Sequence, residues 1–133
     1  MTTPVQILYV DDDPTSLRVR ADLLAEYDHL EIVTATSVPE GRRHLSRSQI
    51  DCVLSDVEME PDSGITFLKS VRADDPELPF LLVSDAPPQD VIETAIGAGM
   101  TDYVPMTLCT ISYDLVVNRI ENAVEHYRIR HRL

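Results

Sequence analysis

Five short apolar runs recur along the chain: Val5 to Val10, Leu30 to Ala35, Asp51 to Ser55, Leu78 to Ser84 and Thr101 to Pro105. Each has strand length, and most are rich in the β-branched and aliphatic residues that pack well on a pleated surface. They predict five strands. Between them the apolar residues change period: Leu17, Ala21 and Leu24 in the first segment, and Ile65, Leu68 and Val71 in the third, are spaced by three and four and form one face of a helix. Two helix starts are marked by their own chemistry. Asp13-Pro14 sets a capping carboxylate before a proline whose φ already suits a first turn, and Ser37-Val38-Pro39-Glu40 has the spacing of a capping box. The last segment, Tyr113 to about Arg130, predicts the longest helix, with Leu115, Val116, Ile120, Ala123, Val124 and Tyr127 on its apolar face and Arg119 at the margin.

Strands alternating with helices over short connections predict an α/β fold, a parallel sheet with helices on both faces. No repeat, Gly/Ser linker or low-complexity tract interrupts the pattern, and 133 residues suit one domain over residues 1–133. In such sheets ligands bind beyond the carboxyl ends of the strands, where the strand order reverses. Asp11, Asp12, Asp56, Ser84 and Met106 all fall at or just past predicted strand ends. They are expected to converge on one edge.

Composition narrows the function classes. Hydrophobic residues make up 44% of the chain, in runs far short of the ~20 residues a membrane-spanning helix needs, so a soluble protein with no membrane partner is expected. Met1-Thr2-Thr3-Pro4 lacks a basic n-region and an apolar h-segment, so a cytoplasmic location is the expectation. Cys52 and Cys109 have no metal-ligand spacing and are expected to be reduced thiols. A net charge of -12 argues against direct nucleic-acid or anionic-lipid binding. One lysine, Lys69, stands against ten arginines and fourteen aspartates, a balance that hints at a high-salt cytoplasm. The basic tail, Arg128, Arg130 and Arg132 with His126 and His131, reads as a solvated C-terminus favoured by the helix dipole.

Three carboxylates at one sheet edge repel one another unless a cation joins them or their pKa values rise. Mg²⁺ prefers one or two carboxylates, a carbonyl and several waters, a set that Asp12, Asp56 and the backbone carbonyl of Glu58 can supply, with a phosphoryl oxygen completing the octahedron. Plainer roles exist for each: a helix cap for Asp13, solvated strand-end charges for Asp11 and Asp12, a turn aspartate for Asp56. The coincidence of Asp11, Asp12 and Asp56 favours chemistry, whereas Asp13 is expected only to cap.

In order along the chain stand Ile-Leu-Tyr-Val-Asp11-Asp12-Asp13-Pro, then Val-Leu-Ser-Asp56-Val-Glu-Met59 with Gly64 eight residues past the aspartate, Leu-Leu-Val-Ser84, and Gly99-Met-Thr-Asp-Tyr103-Val. With these motifs the chain resembles, over essentially its whole length, a receiver domain of two-component response regulators. The resemblance implies a flavodoxin-like three-layer sandwich with sheet order 2-1-3-4-5. It implies that Asp56 accepts a phosphoryl group from the phosphohistidine of a sensor histidine kinase. Asp12 would bind Mg²⁺ directly, Asp11 would hold it through water, and the Glu58 carbonyl would complete the protein ligands while its side chain faces solvent. Ser84 matches the hydroxyl that bonds a phosphoryl oxygen on activation, and Tyr103 the aromatic that changes rotamer with it. Output would pass through the face of the fourth helix, fifth strand and fifth helix to a downstream protein or a covalently linked output domain, a homodimer being one open arrangement. Such a domain is a substrate and partner of the kinase more than an enzyme.

The match has gaps. Similar domains carry a lysine at the end of strand 5; aligning Asp102-Tyr103-Val104-Pro105 puts Met106 there, and Lys69 is not placed to replace it. An arginine could reach in from a loop to replace it. Asp85 stands where a small residue is common, and there it either faces the site and slows phosphotransfer or faces solvent and caps the next helix. Glu60 replaces a customary proline, with Pro61 one place later. Met106 and Asp85 motivate a second reading, a phosphorylation-independent pseudo-receiver that serves as an interaction module. A third rests on Asp11-Asp12-Asp13-Pro14-Thr15, which fits the signature of haloacid dehalogenase-like phosphatases, with Asp11 as nucleophile and Asp13 as general acid.

Overall fold

The computed structural model of the chain describes residues 4–131, so Met1 to Thr3 and, in the basic tail, Arg132 lie outside the described residues. Strands β1 (Val5–Val10), β2 (Leu30–Ala35), β3 (Cys52–Asp56), β4 (Phe80–Ser84) and β5 (Asp102–Pro105) alternate with helices α1 (Pro14–Ala25), α2 (Val38–Arg47), α3 (Gly64–Asp74) and α4 (Gln89–Ala98). Two helices follow β5: a short α5 (Met106–Ile111) and the long α6 (Tyr113–Arg130). The strands form one parallel sheet in the order β2-β1-β3-β4-β5. The flavodoxin-like architecture is therefore the observed one.

Alternation along each strand builds two cores. Val5, Ile7 and Tyr9 of β1 join Leu54, Leu81, Val83 and Val104 in a layer with Leu17 and Leu24 of α1 and Val116, Val117, Ile120 and Val124 of α6. Leu8 and Val10 point the other way and join Val53, Phe80 and Leu82 against Phe67, Leu68 and Val71 of α3 and Ala95 of α4. Each fully buried large side chain of this kind contributes about 1.5–3 kcal/mol relative to exposure. The strands thus carry apolar residues on both faces, as a doubly covered parallel sheet requires.

Both predicted caps form. Asp13 accepts from the Thr15 and Ser16 N–H groups, and Ser37 accepts from the Glu40 N–H while the Glu40 carboxylate reaches back to the Thr36 N–H. Three expectations need correction. Strands β3, β4 and β5 begin later than expected, at Cys52, Phe80 and Asp102. Pro79 has no N–H for a ladder, and the Phe80 N–H goes to the Thr101 hydroxyl. In α6, Leu115 is 47% exposed and Val117, two residues on, joins Val116 in the core. Finally, α5 was not legible: Met-Thr-Leu-Cys-Thr-Ile has weak helix propensity, and the helix is held by Met106, Leu108 and Cys109 packing on the α1/α6 core.

Candidate functional site

Parallel register is what assembles the site. Val10 of β1 lies level with Ser55 of β3, so Asp11, one residue on, arrives level with Asp56. Asp56 is in turn level with Val83, which brings Ser84 to the same edge. Ligand oxygens of Asp11, Asp12 and Asp56 all lie within 4.8 Å of one another, with Asp11 buried, Asp56 half-buried and Asp12 exposed. Three hard oxygen donors this close suit a small divalent cation such as Mg²⁺. The Glu58 side chain is exposed, and among the described residues no hydrogen bond ends on its backbone carbonyl.

Neighbouring backbone sets the shape of this edge. The Asp12 carboxylate accepts from the Glu60 N–H at 3.0 Å, tying the β1–α1 turn to the β3–α3 loop, where the Glu60–Pro61 peptide bond is cis. Helix α3 starts hard against the end of β3: the Gly64 N–H donates to the Val57 carbonyl, and a Cβ on Gly64 would lie 2.1 Å from the Asp56 carbonyl oxygen. Only glycine leaves room for that approach. The spacing motif around Asp56 contained Gly64, but its reason is this contact.

Charge is arranged unevenly across the trio. Burial, together with the adjacent Asp11 carboxylate, pushes the Asp56 carboxyl up to about 6, against the opposing pull of Arg20. Burial likewise raises Asp11, opposed by the Asp13 backbone N–H and by Arg20. Asp13 is held below the usual carboxylate range by its hydrogen bonds to Ser16, as a capping residue should be. Arg20 comes from α1 and was not foreseen. Its Nη1 donates to Asp11 Oδ2 at 3.2 Å, with the arginine side chain 19% exposed and the aspartate 3%. A polar position on an amphipathic helix gives no sign in the sequence that it will turn inward.

Ser84 is buried at the end of β4, and the Tyr103 hydroxyl donates to its backbone carbonyl at 2.8 Å. The two residues expected to act together therefore touch. Asp85 is exposed and lies near Tyr103, whose phenol is raised by burial and by that carboxylate. It does not cap α4: that helix begins after Pro88 with no side-chain cap, and Ala86 between them has a positive φ of 42°. The capping role expected of a solvent-facing Asp85 is therefore not the observed one.

A family model described as the response regulator receiver domain matches residues 7–108, about three quarters of the chain. The chain belongs to the response regulator receiver family. A protein-glutamate methylesterase/protein-glutamine glutaminase of Rhodopseudomonas palustris is 33% identical over 104 residues, which cover 76% of this chain and 28% of that protein. The transcriptional regulatory protein GlrR of Escherichia coli is 27% identical over 122 residues, 92% of this chain and 27% of its own length. The chain thus spans under a third of these two relatives. Among solved structures, a response regulator receiver domain protein from Clostridium thermocellum superposes with a TM-score of 0.83 at 26% identity, covering 94% of this chain and 98% of that one.

In this receiver domain the end of β5 carries no cation. Met106 opens α5, packs on the core and lines a groove of about 300 Å³ with Arg20, Val19 and Leu23 of α1 and Cys109 and Tyr113 beyond it. Lys69 lies on α3, away from these residues. Among the described residues Arg20 is the basic side chain that bonds to the acidic edge, from a helix and not from a loop.

Proposed function

We propose that this receiver domain is a phosphoacceptor of a two-component phosphorelay, with Asp56 as the residue phosphorylated. The observation that carries the reading is the convergence of Asp11, Asp12 and Asp56 within 4.8 Å at the carboxyl edge of the sheet. In the proposed transfer an Asp56 carboxylate oxygen attacks phosphorus in line, the phosphorus–nitrogen bond of the kinase phosphohistidine breaks, and the imidazole leaves with the bonding electron pair and takes up a proton. Bound Mg²⁺ would supply charge neutralisation at the phosphoryl oxygens. Asp12, Asp56 and the Glu58 carbonyl would hold the metal, Asp11 would orient a water on it, and the Ser84 hydroxyl would donate a hydrogen bond to an oxygen of the transferred group. A pKa near 6 leaves Asp56 mostly ionised at neutral pH, as a nucleophile must be.

Signalling would run from Ser84 through the bonded Tyr103 to the face of α4, β5 and α6, where Ile96 and Leu115 are exposed at 62% and 47%. That face would meet a downstream protein or an output domain, consistent with relatives much longer than this chain. The phosphatase reading fits less well, since the Asp13 carboxylate is committed to capping α1. An amide NMR titration with Mg²⁺ and then beryllofluoride, on wild type and Asp56→Asn, tests the proposal. Shifts centred on Asp56 and Ser84 in wild type, absent in Asp56→Asn, are expected; no response in either would leave the pseudo-receiver reading in its place.

A further inference from the structure

We propose that Arg20 of α1 is the fixed cation of the phosphoryl site, taking from the neighbouring helix the charge role that Met106 cannot fill. The inference rests on the phosphoacceptor reading of Asp56. Three negative carboxylates share the edge, and a phosphoryl group on Asp56 would add a further negative charge. One divalent cation neutralises two of the carboxylates. A second, permanent positive charge is needed for the remainder, and an arginine never loses its charge in a protein.

Geometry singles out Arg20. It is anchored by Nη1 on the buried Asp11 Oδ2 at 3.2 Å, with the arginine side chain itself only 19% exposed. Asp11 takes only part of the five-donor fork, and a planar fork matches phosphoryl oxygens better than an ammonium does. Arg20 also acts on Asp56 itself, favouring its ionised form. Met106 and Arg20 line the same groove between α1 and α5, so the guanidinium occupies the neighbourhood that a lysine at position 106 would enter. The Asp11 contact is the resting partner; with Mg²⁺ held by the carboxylates, the fork turns its free donors to the phosphoryl oxygens.

Wild type, Arg20→Met, Met106→Lys and the double variant are titrated with beryllofluoride at saturating Mg²⁺ and followed by fluorine NMR, and each is titrated separately with Mg²⁺. Arg20→Met should weaken beryllofluoride binding about ten- to hundredfold, the range of a lost charge-assisted hydrogen bond. Its Mg²⁺ affinity should hold or rise, because a competing cation has left Asp11. Met106→Lys should change wild-type beryllofluoride binding less than about threefold and should restore binding in the Arg20→Met background. Unchanged beryllofluoride binding in Arg20→Met overturns the inference and leaves Asp56 as the acceptor; so does a parallel loss of Mg²⁺, which marks a merely structural role. Should Arg20→Met fail to fold, Met106→Lys alone decides, a tenfold gain showing that the wild-type site lacked its cation. A wild type that binds Mg²⁺ but no beryllofluoride defeats the acceptor reading and this inference together.

Discussion

Asp56 is held at a cost, and the cost is measurable. Its carboxyl titrates near 6 in the folded chain against an ordinary 3.8. A raised carboxyl pKa means that the folded state binds the proton more tightly than the unfolded one, so stability is full below pH ~4 and is lost as pH rises through the window up to 6. Asp56→Asn should therefore stabilise the metal-free protein by about 1–2 kcal/mol at pH 7 and by almost nothing at pH ~3.5. Urea unfolding in EDTA at both pH values checks this, and equal gains at the two would refute it. Gly64 presents the opposite case, a residue whose lack of a side chain is the function. Gly64→Ala places a methyl 2.1 Å from the Asp56 carbonyl oxygen and should destabilise the fold by about 1–3 kcal/mol, read as a lower denaturant midpoint at unchanged slope. A wild-type midpoint would show that α3 can retreat freely.

At the scale of elements, the connection from β4 to α4 is the least comfortable part of the site. Ala86 sits at φ 42°, in the left-handed region that a side chain disfavours, and α4 starts without a capping side chain. Ala86→Gly relieves the conformation but loosens the unfolded chain, so a net gain of about 0.5–1 kcal/mol is expected. Thermal unfolding tests it; a loss of stability would mean that the loop relaxes without glycine. The helices were unequally readable. Helix α1 announced itself with Asp13-Pro14 and a Leu17, Ala21, Leu24 face, all three of which are buried. Helix α5 gave no local sign, because contacts with the α1/α6 core hold it and its own residues favour other states.

Across the whole molecule the surface charge pulls against compactness. With a net charge of -12, self-repulsion should weaken as salt rises from about 0.1 to about 1 M and the Debye length falls from about 10 to about 3 Å. The melting temperature should climb over that range of KCl; a fall would show that ion pairs outweigh the repulsion. The basic tail stays solvated in the last turn of α6, as expected, and also finds partners: Arg128 meets Asp51 at 3.6 Å, and Arg130 and His131 both meet Glu77.

The alternation of strand and helix, the capping aspartate and the clustering of carboxylates at strand ends were decided by the sequence itself, because hydrophobic period and turn chemistry act over a few residues. The trio of Asp11, Asp12 and Asp56 could be anticipated on that basis, since a parallel sheet must deliver its strand ends to one edge. What tertiary structure alone decided is which neighbours those carboxylates meet. Arg20 turned inward to Asp11, and Tyr103 onto the Ser84 carbonyl. Each of those directions depends on how one helix or loop is packed against another, a relation between distant parts of the chain to which no local pattern of residues is sensitive.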